Sequence, residues 1–310
     1  MTTTPDYYTR LDPFLERFRT GAPVLMYHHV GPRKRGARLK GLYVSPELFA
    51  RQLAELKSAG FSTREFAGIQ AAARTATAQD SLGERPNPDP VDHRSQISRG
   101  PLAVPSPLPS DGRGEGQGEV RAAISPGERH LKNPTQHVFL TIDDGFSSVF
   151  EHALPILREN GFRAILYLVS DLIGKTNEWQ QKVGDVVEPL MDAAQVRTWL
   201  EAGHEIGAHT QTHPRLTKLS IAAAREEITA SKKSLEDRFS LRIDHFCYPY
   251  GDWNEPVRDL VIAAGYRTAC TTHAGVNTPE TSPFELKRYM ARYRSRSLRG
   301  LWRSIRAAVR

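Results

Sequence analysis

Two pairs of polar residues have the types and spacing that metal-dependent hydrolysis requires. His209 and His213 stand four apart in the stretch GAHTQTHP. At helical spacing two imidazoles project to one side, where they can share one zinc-like ion. Asp143 and Asp144 stand side by side in VFLTIDDGF, before Gly145, which allows the chain to turn. Each pair also has a purely structural explanation. The histidines could be polar residues of the surface or of a helix cap, and the aspartates could be a turn residue and a helix N-cap.

A site of two histidines and one carboxylate leaves coordination positions open for water and substrate. Such an ion lowers the pKa of bound water and polarises a carbonyl, while a second, free carboxylate takes the proton from that water. The two adjacent aspartates could supply one carboxylate for each role. A further group must protonate the leaving atom, and His28 in VLMYHHV is the best-placed candidate. The alternative for His28 is a core histidine bonded to the backbone.

The elements that must position these residues alternate between strands and helices. Short apolar runs such as VFLTI and AILYLV predict buried strands, and periodic segments such as SPELFARQLAELKSAGF, with Ser45 as N-cap, predict helices. This alternation predicts an α/β fold with a parallel sheet, and six or seven strand–helix units favour a (β/α) barrel. Functional groups of such barrels gather at the carboxyl ends of the strands, where the candidate residues stand.

Residues 80–137 differ from the rest of the chain. They contain nine Pro and seven Gly but no Phe, Tyr or Trp, a composition that cannot bury enough apolar surface to offset the entropy of ordering. We expect a disordered insertion here, with a functional linker as the alternative. The predicted organisation is therefore a barrel domain in two parts, 1–79 and 138–290, with the metal site in the second part. A basic helix or tail follows at 291–310.

Composition narrows the class of protein. The chain has 310 residues, a net charge of +7 and two cysteines, which cannot form a disulfide framework. No secretory signal or membrane-spanning run is visible, so a cytoplasmic location is expected. The basic C-terminal stretch predicts a solvated tail or, alternatively, a helix on an anionic membrane surface, which would place the protein at the inner membrane face. No recognition motif accompanies the charge, so nucleic acid is not an expected partner.

Three short motifs carry a resemblance to a known family. TIDDG and HTQTH resemble the first two motifs of the polysaccharide deacetylases, the NodB-homology group or carbohydrate esterase family 4, and YPYG resembles a reduced third motif. The match covers about Pro23–Tyr289 outside the insertion. It implies a distorted (β/α) barrel that binds a divalent metal ion, with zinc as the expected ion. It also implies a hydrolase of carbon–nitrogen bonds other than peptides, which removes acetyl groups from a saccharide.

The resemblance also implies a role for individual residues. Asp143 corresponds to the general base, and Asp144, His209 and His213 correspond to the metal ligands. The backbone N–H of Tyr250 corresponds to the group that stabilises the tetrahedral oxyanion. Further candidates on the substrate side are Tyr248, Pro249, Trp179 and Arg288.

The chain departs from the family pattern in three places. Cys247 stands where the third motif has the arginine that orients the base, and neither a late Leu-x-His nor an Asp-x-x-Asp-Trp motif follows. VLMYHHV is similar to the Tyr-His start of a permuted subgroup like the poly-N-acetylglucosamine deacetylases, which assigns the catalytic acid to His28. Arg288, in PFELKRY, is a candidate replacement for the lost arginine.

Two other functions use the same residues. The lost arginine and the long insertion are compatible with a non-catalytic carbohydrate-binding protein, which would bind saccharides without turnover. The same metal site would also serve an amidase acting on a C–N bond outside sugars. For the deacetylase, a cytoplasmic glycan precursor, glycolipid or nucleotide-linked sugar is the expected substrate.

Overall fold

The structure is a computed structural model that describes residues 12–83, 136–181 and 183–291. Its helices are α1 (Asp12–Phe18), α2 (Pro46–Ser58), α3 (Ile69–Gly83), α4 (Leu154–Asn160), α5 (Glu178–Gln181), α6 (Ala193–Glu201), α7 (Ile221–Phe239) and α8 (Glu255–Ala263). Its strands are β1 (Val24–Tyr27), β2 (His29–Val30), β3 (Tyr43–Val44), β4 (Phe61–Ser62), β5 (Gln136–His137), β6 (Phe139–Ile142), β7 (Ile165–Leu168), β8 (Glu205–Ala208), β9 (His245–Cys247), β10 (Thr268–Cys270) and β11 (Tyr289–Met290).

Seven parallel strands form one curled sheet in the order β10–β9–β8–β7–β6–β1–β11. The ends of neighbouring strands are level, since Tyr27 pairs with Ile142 and Leu168 pairs with Ala208. The residues that follow these strands therefore emerge at one edge of the sheet. The parallel, barrel-type sheet predicted from the alternation of elements is confirmed.

The segment 283–291 joins the two sides of the curled sheet. Ala269 in β10 donates a hydrogen bond to the carbonyl of Pro283, at 2.8 Å, and receives one from Leu286 N–H, at 3.0 Å. The same segment then continues as β11, where Tyr289 lies in register with Leu25 of β1. It thus connects the edge strand β10 with β1, a closure that the strand pattern of the sequence did not predict.

Serine residues cap two helix starts, and one of them, Ser45, is the predicted N-cap. The Ser45 hydroxyl accepts a hydrogen bond from Leu48 N–H at the start of α2, and Ser220 accepts one from Ala223 N–H at the start of α7. The apolar positions predicted for α2 are buried against the sheet, with Phe49 and Leu53 fully inaccessible. These contacts fix the outer layer of helices that surrounds the strands.

Two predicted segments, the insertion and the basic tail, lie largely outside the described residues. The described residues of the expected insertion at 80–137 are the last turn of α3, which ends at Gly83, and strand β5 at Gln136–His137. The rest of the insertion, and the tail from residue 292 onward, lie outside the described residues. Among the described helices, none is long and apolar enough to cross a membrane.

Gly207 in β8 should be a sensitive point of the sheet. A Cβ atom at this position would lie 2.6 Å from the ring of Tyr167 and 2.8 Å from the carbonyl oxygen of His245. Gly207→Ala should therefore lower the free energy of unfolding by about 1–3 kcal/mol, as overpacking does. Gly68→Ala is the control, because no atom lies within 4 Å of the Cβ built there. Urea denaturation measures both; equal stability of the two variants would contradict the packing described.

Candidate metal centre and catalytic site

Side chains from neighbouring strand ends meet in one cavity of about 340 Å³. It lies at the carboxyl edge of the sheet, where the sequence placed the functional groups. Eight of the ten predicted site residues line it: His28, Asp143, Asp144, Trp179, His209, His213, Tyr248 and Tyr250. The two aspartates and the histidine pair are each no more than 5% exposed, so their polar atoms are held away from bulk water.

The two aspartates both reach the cavity because the chain turns between them. Asp143 N–H extends the sheet ladder by donating to the carbonyl of Tyr27 at 2.9 Å. Asp144 then adopts a left-handed φ of 76°, followed by Gly145 at 81°. Sequence analysis assigned the turn to Gly145 alone, whereas Asp144 itself takes the unusual conformation. Aspartate tolerates this region better than most residues.

The histidine pair is not on a helix, so the predicted helical spacing was wrong. His209 directly follows β8, and the chain reaches His213 through a loop in which Thr210 and His213 have φ values of 67° and 65°. Pro214 disfavours a helical conformation at the residue before it. The loop still brings the two rings together, with their centroids 4.8 Å apart.

Glu227 in α7 holds this loop in place. Its Oε2 accepts hydrogen bonds from the backbone N–H groups of Gln211, at 2.9 Å, and Thr212, at 3.0 Å, and its Oε1 accepts one from the Thr212 hydroxyl at 2.6 Å. The Thr210 hydroxyl in turn accepts a bond from His213 N–H at 3.0 Å. Sequence reasoning missed Glu227, because nothing in an exposed helical pattern marks one glutamate as a loop anchor.

The geometry of Asp144, His209 and His213 fits a divalent cation. His209 Nδ1 donates to the carbonyl of Cys247 at 2.7 Å, so the Nε2 atom of the neutral ring carries a lone pair. The Nε2 atoms of both histidines lie 3.4 Å from Asp144 Oδ1. Burial lowers the pKa of His213, which favours its neutral form. Three acceptor atoms thus face one another in a buried space, an arrangement that a bound cation would satisfy.

Asp143 is held by Arg288 instead. Arg288 Nη1 lies 2.7 Å from Asp143 Oδ1, and Nη2 lies 2.9 Å from Oδ2, a bidentate pair. The remaining N–H groups of the guanidinium donate to Thr271 O at 2.8 Å, Thr141 Oγ1 at 2.9 Å and Cys247 Sγ at 3.1 Å. All five donors therefore have acceptors, which is what a 1% exposed guanidinium requires.

The Asp143 carboxylate stays ionised in this environment. Burial by itself would raise its pKa, but the charge and hydrogen bonds of Arg288, with His28, outweigh burial and bring the pKa below its ordinary value. The thiol of Cys247 lies 3.6 Å from Asp143 Oδ2, and burial raises the pKa of that thiol, so it remains protonated. Asp143 is thus available as a proton acceptor.

The two adjacent histidines near the N-terminus have different surroundings. His28 lines the cavity, and its Nε2 lies 3.8 Å from Asp143 Oδ2. Burial lowers the pKa of His28, although the nearby aspartates act in the opposite direction. His29 is in the core, stacked between Tyr43 and Phe146 with ring centroids 4.1 and 3.5 Å away. Of the two, the sequence favoured His28 as the acid candidate, and His28 is the one that lines the cavity.

The aromatic candidates lie around the metal ligands. Trp179 stacks on His213, with centroids 4.4 Å apart and an interplanar angle of 23°, and Tyr250 meets the same ring edge-on at 4.6 Å. Tyr248 lines the cavity but its hydroxyl donates to the carbonyl of Phe284 at 3.1 Å.

The YPYG motif forms a tight turn at the cavity. Tyr250 has a left-handed φ of 61°. The two hydrogen bonds of the turn are donated by Gly251 and Asp252, so the turn does not use the N–H of Tyr250. Pro249 is buried beneath the turn and is not among the residues that line the cavity.

A second trio, Asp143, His209 and Cys247, also has its ligand atoms within 4.8 Å of one another. It is a poorer cation site. The Arg288 guanidinium already contacts both Asp143 and the Cys247 sulfur, so a second cation there would meet a fixed positive charge. Of the two clusters found among the described residues, the trio with Asp144 therefore fits a metal ion better.

Comparison with known proteins finds a family match over part of the chain. Residues 130–269 match the family model described as polysaccharide deacetylase. His28 and Arg288 lie outside the matched range.

Curated proteins are similar to the chain at low identity. The chain is 25% identical over 158 residues to Bacillus subtilis YxkH, which carries the same family name. It is 22% identical over 162 residues to the poly-beta-1,6-N-acetyl-D-glucosamine N-deacetylase of Staphylococcus aureus. These matches cover 51% of this chain in both cases, and 52% and 56% of the relatives, so the chain spans about half the length of the curated relatives it matches.

Solved structures share the fold over nearly the whole chain. The deacetylase PplD of Streptococcus pyogenes, solved in complex with acetate, is similar with a TM-score of 0.59 and 18% identity, covering 91% of this chain and 97% of that one. IcaB from Ammonifex degensii is similar with the same TM-score and identity, covering 93% and 96% of the two chains. At 18% identity, these similarities show a shared fold and nothing beyond it.

Removal of one imidazole should weaken metal binding. His213→Ala deletes one of the three converging ligand atoms, and we expect the affinity for zinc to fall by at least about 100-fold, since even outer-shell changes cost up to that much. His273→Ala is the control, because His273 is exposed and outside the cluster. Zinc titration monitored by calorimetry measures both. Equal zinc affinity of the two variants would show that the ion binds elsewhere or not at all.

Proposed function

We propose that this protein is a metal-dependent deacetylase that hydrolyses acetyl groups, principally N-acetyl groups, of a saccharide or glycan precursor. One observation carries the proposal. The Asp143 carboxylate, which Arg288 holds in place, lies directly beside the converging ligands Asp144, His209 and His213. The family of residues 130–269 supports hydrolysis of acetylated polysaccharides. The Staphylococcus aureus relative, named for action on poly-N-acetylglucosamine, supports an N-acetylated sugar.

The metal ligands would be Asp144, His209 and His213, and zinc is the proposed ion because two imidazoles and one carboxylate suit it. When bound, the ion would lower the pKa of water and polarise the acetyl carbonyl. The residues of this chain then perform the proton transfers and hold the substrate.

Asp143 is the proposed general base. Arg288 fixes both of its oxygen atoms at 2.7 and 2.9 Å, so the carboxylate cannot rotate away from the cavity. Its lowered pKa keeps it ionised at neutral pH. It would therefore accept a proton from the attacking water. In this proposal Arg288 performs the role of the arginine that Cys247 replaces in the third motif, although it comes from a different strand.

His28 is the proposed acid. Its Nε2 is 3.8 Å from Asp143 Oδ2, so a proton that the base has accepted can pass to the imidazole over a short distance. His28 would donate it to the leaving nitrogen. The N–H of Tyr250, which its turn leaves unused, would bind the developing oxyanion. Trp179, Tyr248 and the ring of Tyr250 would shape the wall against which the sugar packs.

The alternatives from sequence analysis have less support. The non-catalytic function was motivated mainly by the missing arginine, and Arg288 supplies a guanidinium at the base. An amidase acting outside sugars would use the same site, and substrate profiling of acetate release separates it from a saccharide deacetylase. The proposed location remains the cytoplasm, with contact to an anionic membrane surface through residues 291–310, nearly all of which lie outside the described residues.

Replacing the base should abolish hydrolysis. In Asp143→Asn the amide cannot accept the proton, so we expect the rate of acetate release from N-acetylated oligosaccharides to fall by about 10²–10⁴-fold. Asp259→Asn, at an exposed position on α8, is the matched control and should retain wild-type rates. An enzyme-coupled acetate assay with zinc present measures the rates. If Asp143→Asn were as active as wild type, Asp143 would not be the base.

Arg288 should set the pH dependence of the reaction. Loss of its charge in Arg288→Gln makes ionisation of Asp143 less favourable, so the pKa of the carboxyl rises. Since only the ionised form accepts a proton, the acid limb of the kcat/KM profile should move to higher pH.

Arg288→Lys keeps a charge but loses the bidentate geometry, so kcat should fall by about 10²-fold with a smaller shift of the limb. Urea denaturation of both variants separates loss of fold from loss of orientation. A well-folded Arg288→Gln variant with an unchanged acid limb would contradict the pairing.

A further inference from the structure

The mouth of the cavity is strongly basic. The loop at residues 32–42, PRKRGARLKGL, is here called the basic loop; it contains five cationic side chains and no acidic one. All five are exposed: Arg33, Lys34, Arg35, Arg38 and Lys40. Leu39 and Leu42 of the same loop line the cavity, so the charges stand next to the entrance of the proposed active site.

The basic loop is hydrogen-bonded to the segment 183–185, of which Val183 lines the cavity. Asp185 accepts hydrogen bonds from the backbone N–H groups of Arg38, at 2.7 Å, and Leu39, at 2.8 Å. The Arg38 guanidinium donates to the carbonyl of Val183 at 2.7 Å, and Val183 also lines the cavity. These bonds hold Arg38 at the mouth instead of leaving it free in solvent.

A second cation lies in the cavity wall itself. Arg215 is among the lining residues, and its guanidinium stacks over the ring of Tyr250 at 4.2 Å from the centroid. Tyr250 also contacts His213, so the Tyr250 ring lies between Arg215 and this proposed metal ligand.

No direct ion pair within the described residues neutralises these charges, and the Asp185 carboxylate acts on Arg38 only at longer range. Within residues 12–83, 136–181 and 183–291, neither Arg215 nor any cationic side chain of the basic loop has a carboxylate within 4.0 Å in an ion pair. Asp185 is the nearest acidic partner of the basic loop, and its oxygens accept backbone N–H groups, including that of Val186 at 2.8 Å. Fixed, unpaired guanidinium groups around a cleft favour an anionic ligand.

We propose that the saccharide substrate carries a phosphate group close to its acetylated sugar, and that Arg38 and Arg215 bind this phosphate at the mouth of the cavity. The inference rests on the proposed deacetylase function and narrows its substrate class. Phosphate fits better than a single carboxylate, because its larger charge and its several oxygens can engage more than one guanidinium group.

The phosphate could come from two sources. A lipid-linked sugar and a nucleotide-linked sugar share this chemistry. Leu39 and Val183, which are 46% and 58% exposed at the mouth, would give a lipid chain an apolar contact. A nucleotide would gain nothing comparable from these aliphatic side chains, so the structure favours the lipid carrier of the two.

Binding measurements test the phosphate site without relying on catalysis. The full chain with zinc is titrated with methyl N-acetylglucosaminide, N-acetylglucosamine 1-phosphate, UDP-N-acetylglucosamine and a polyprenyl-diphosphate N-acetylglucosamine in detergent. We expect the phosphorylated probes to bind at least about tenfold more tightly than the neutral one, and higher salt should reduce the difference. Tighter binding of the polyprenyl probe than of the nucleotide probe identifies the lipid source, and the reverse identifies the nucleotide source.

Arginine variants test the assignment of the residues. In the double variant R38Q/R215Q the preference for phosphorylated over neutral probe should fall by about tenfold or more, whereas Arg225→Gln, at an exposed position on α7, should keep it. The proposal is overturned if the wild type has no preference for phosphate, or if the double variant keeps the full preference, as direct binding of phosphate to the metal would produce. Equal binding of a carboxylated sugar would also overturn it.

These outcomes are distinguishable from failure of the proposed function. If the protein released no acetate from any probe but retained arginine-dependent phosphate binding, the phosphate site would stand and the deacetylase assignment would not. If acetate were released equally well from neutral and phosphorylated sugars, the deacetylase would stand and the phosphate site would be rejected.

Discussion

The convergence of three electron-pair donors in a buried space is the constraint on which the site depends. His209 Nε2, His213 Nε2 and Asp144 Oδ1 face one another at 3.4 Å from each imidazole to the carboxylate, and the hydrogen bond from His209 Nδ1 to Cys247 O directs the Nε2 atom of that ring toward the other two. Without a positive charge this arrangement is electrostatically unfavourable. The strained loop at Thr210 and His213 therefore positions ligand atoms in the geometry that a cation requires.

The closure of the sheet connects the fold to the chemistry. The segment 283–291 bridges β10 and β1, and Arg288 within this segment projects inward to hold Asp143. An arginine in the third motif would orient the base from β9. Here Cys247 occupies that strand end, and the guanidinium comes from the far side of the carboxylate while still contacting the thiol. Arg288 thus makes a two-point contact with the base from another part of the chain, and the buried charge of each partner compensates that of the other.

The sequence could predict what is local. Adjacent aspartates, closely spaced histidines and strand–helix alternation lie within short stretches, so they indicated the barrel and four of the site residues. The conformation of the histidine loop could not be predicted, because positive φ at Thr210 and His213 leaves no signature in residue types. The anchors Glu227 and Asp185 could not be found either, since they act on backbone groups of distant loops. Arg288 lies 145 residues from Asp143 and outside the matched family range, so only the three-dimensional contact supports its place.

X-ray absorption spectroscopy of the zinc-loaded protein tests the central claim most directly, because it reads the ligand types around the ion. The two candidate clusters differ in one element: the trio with Asp144 contains only nitrogen and oxygen, whereas the trio with Asp143 includes the Cys247 sulfur. We expect two histidine nitrogens and oxygen ligands at about 2.0–2.2 Å with no sulfur. A sulfur ligand at about 2.3 Å, or a shell without histidine, would contradict the account.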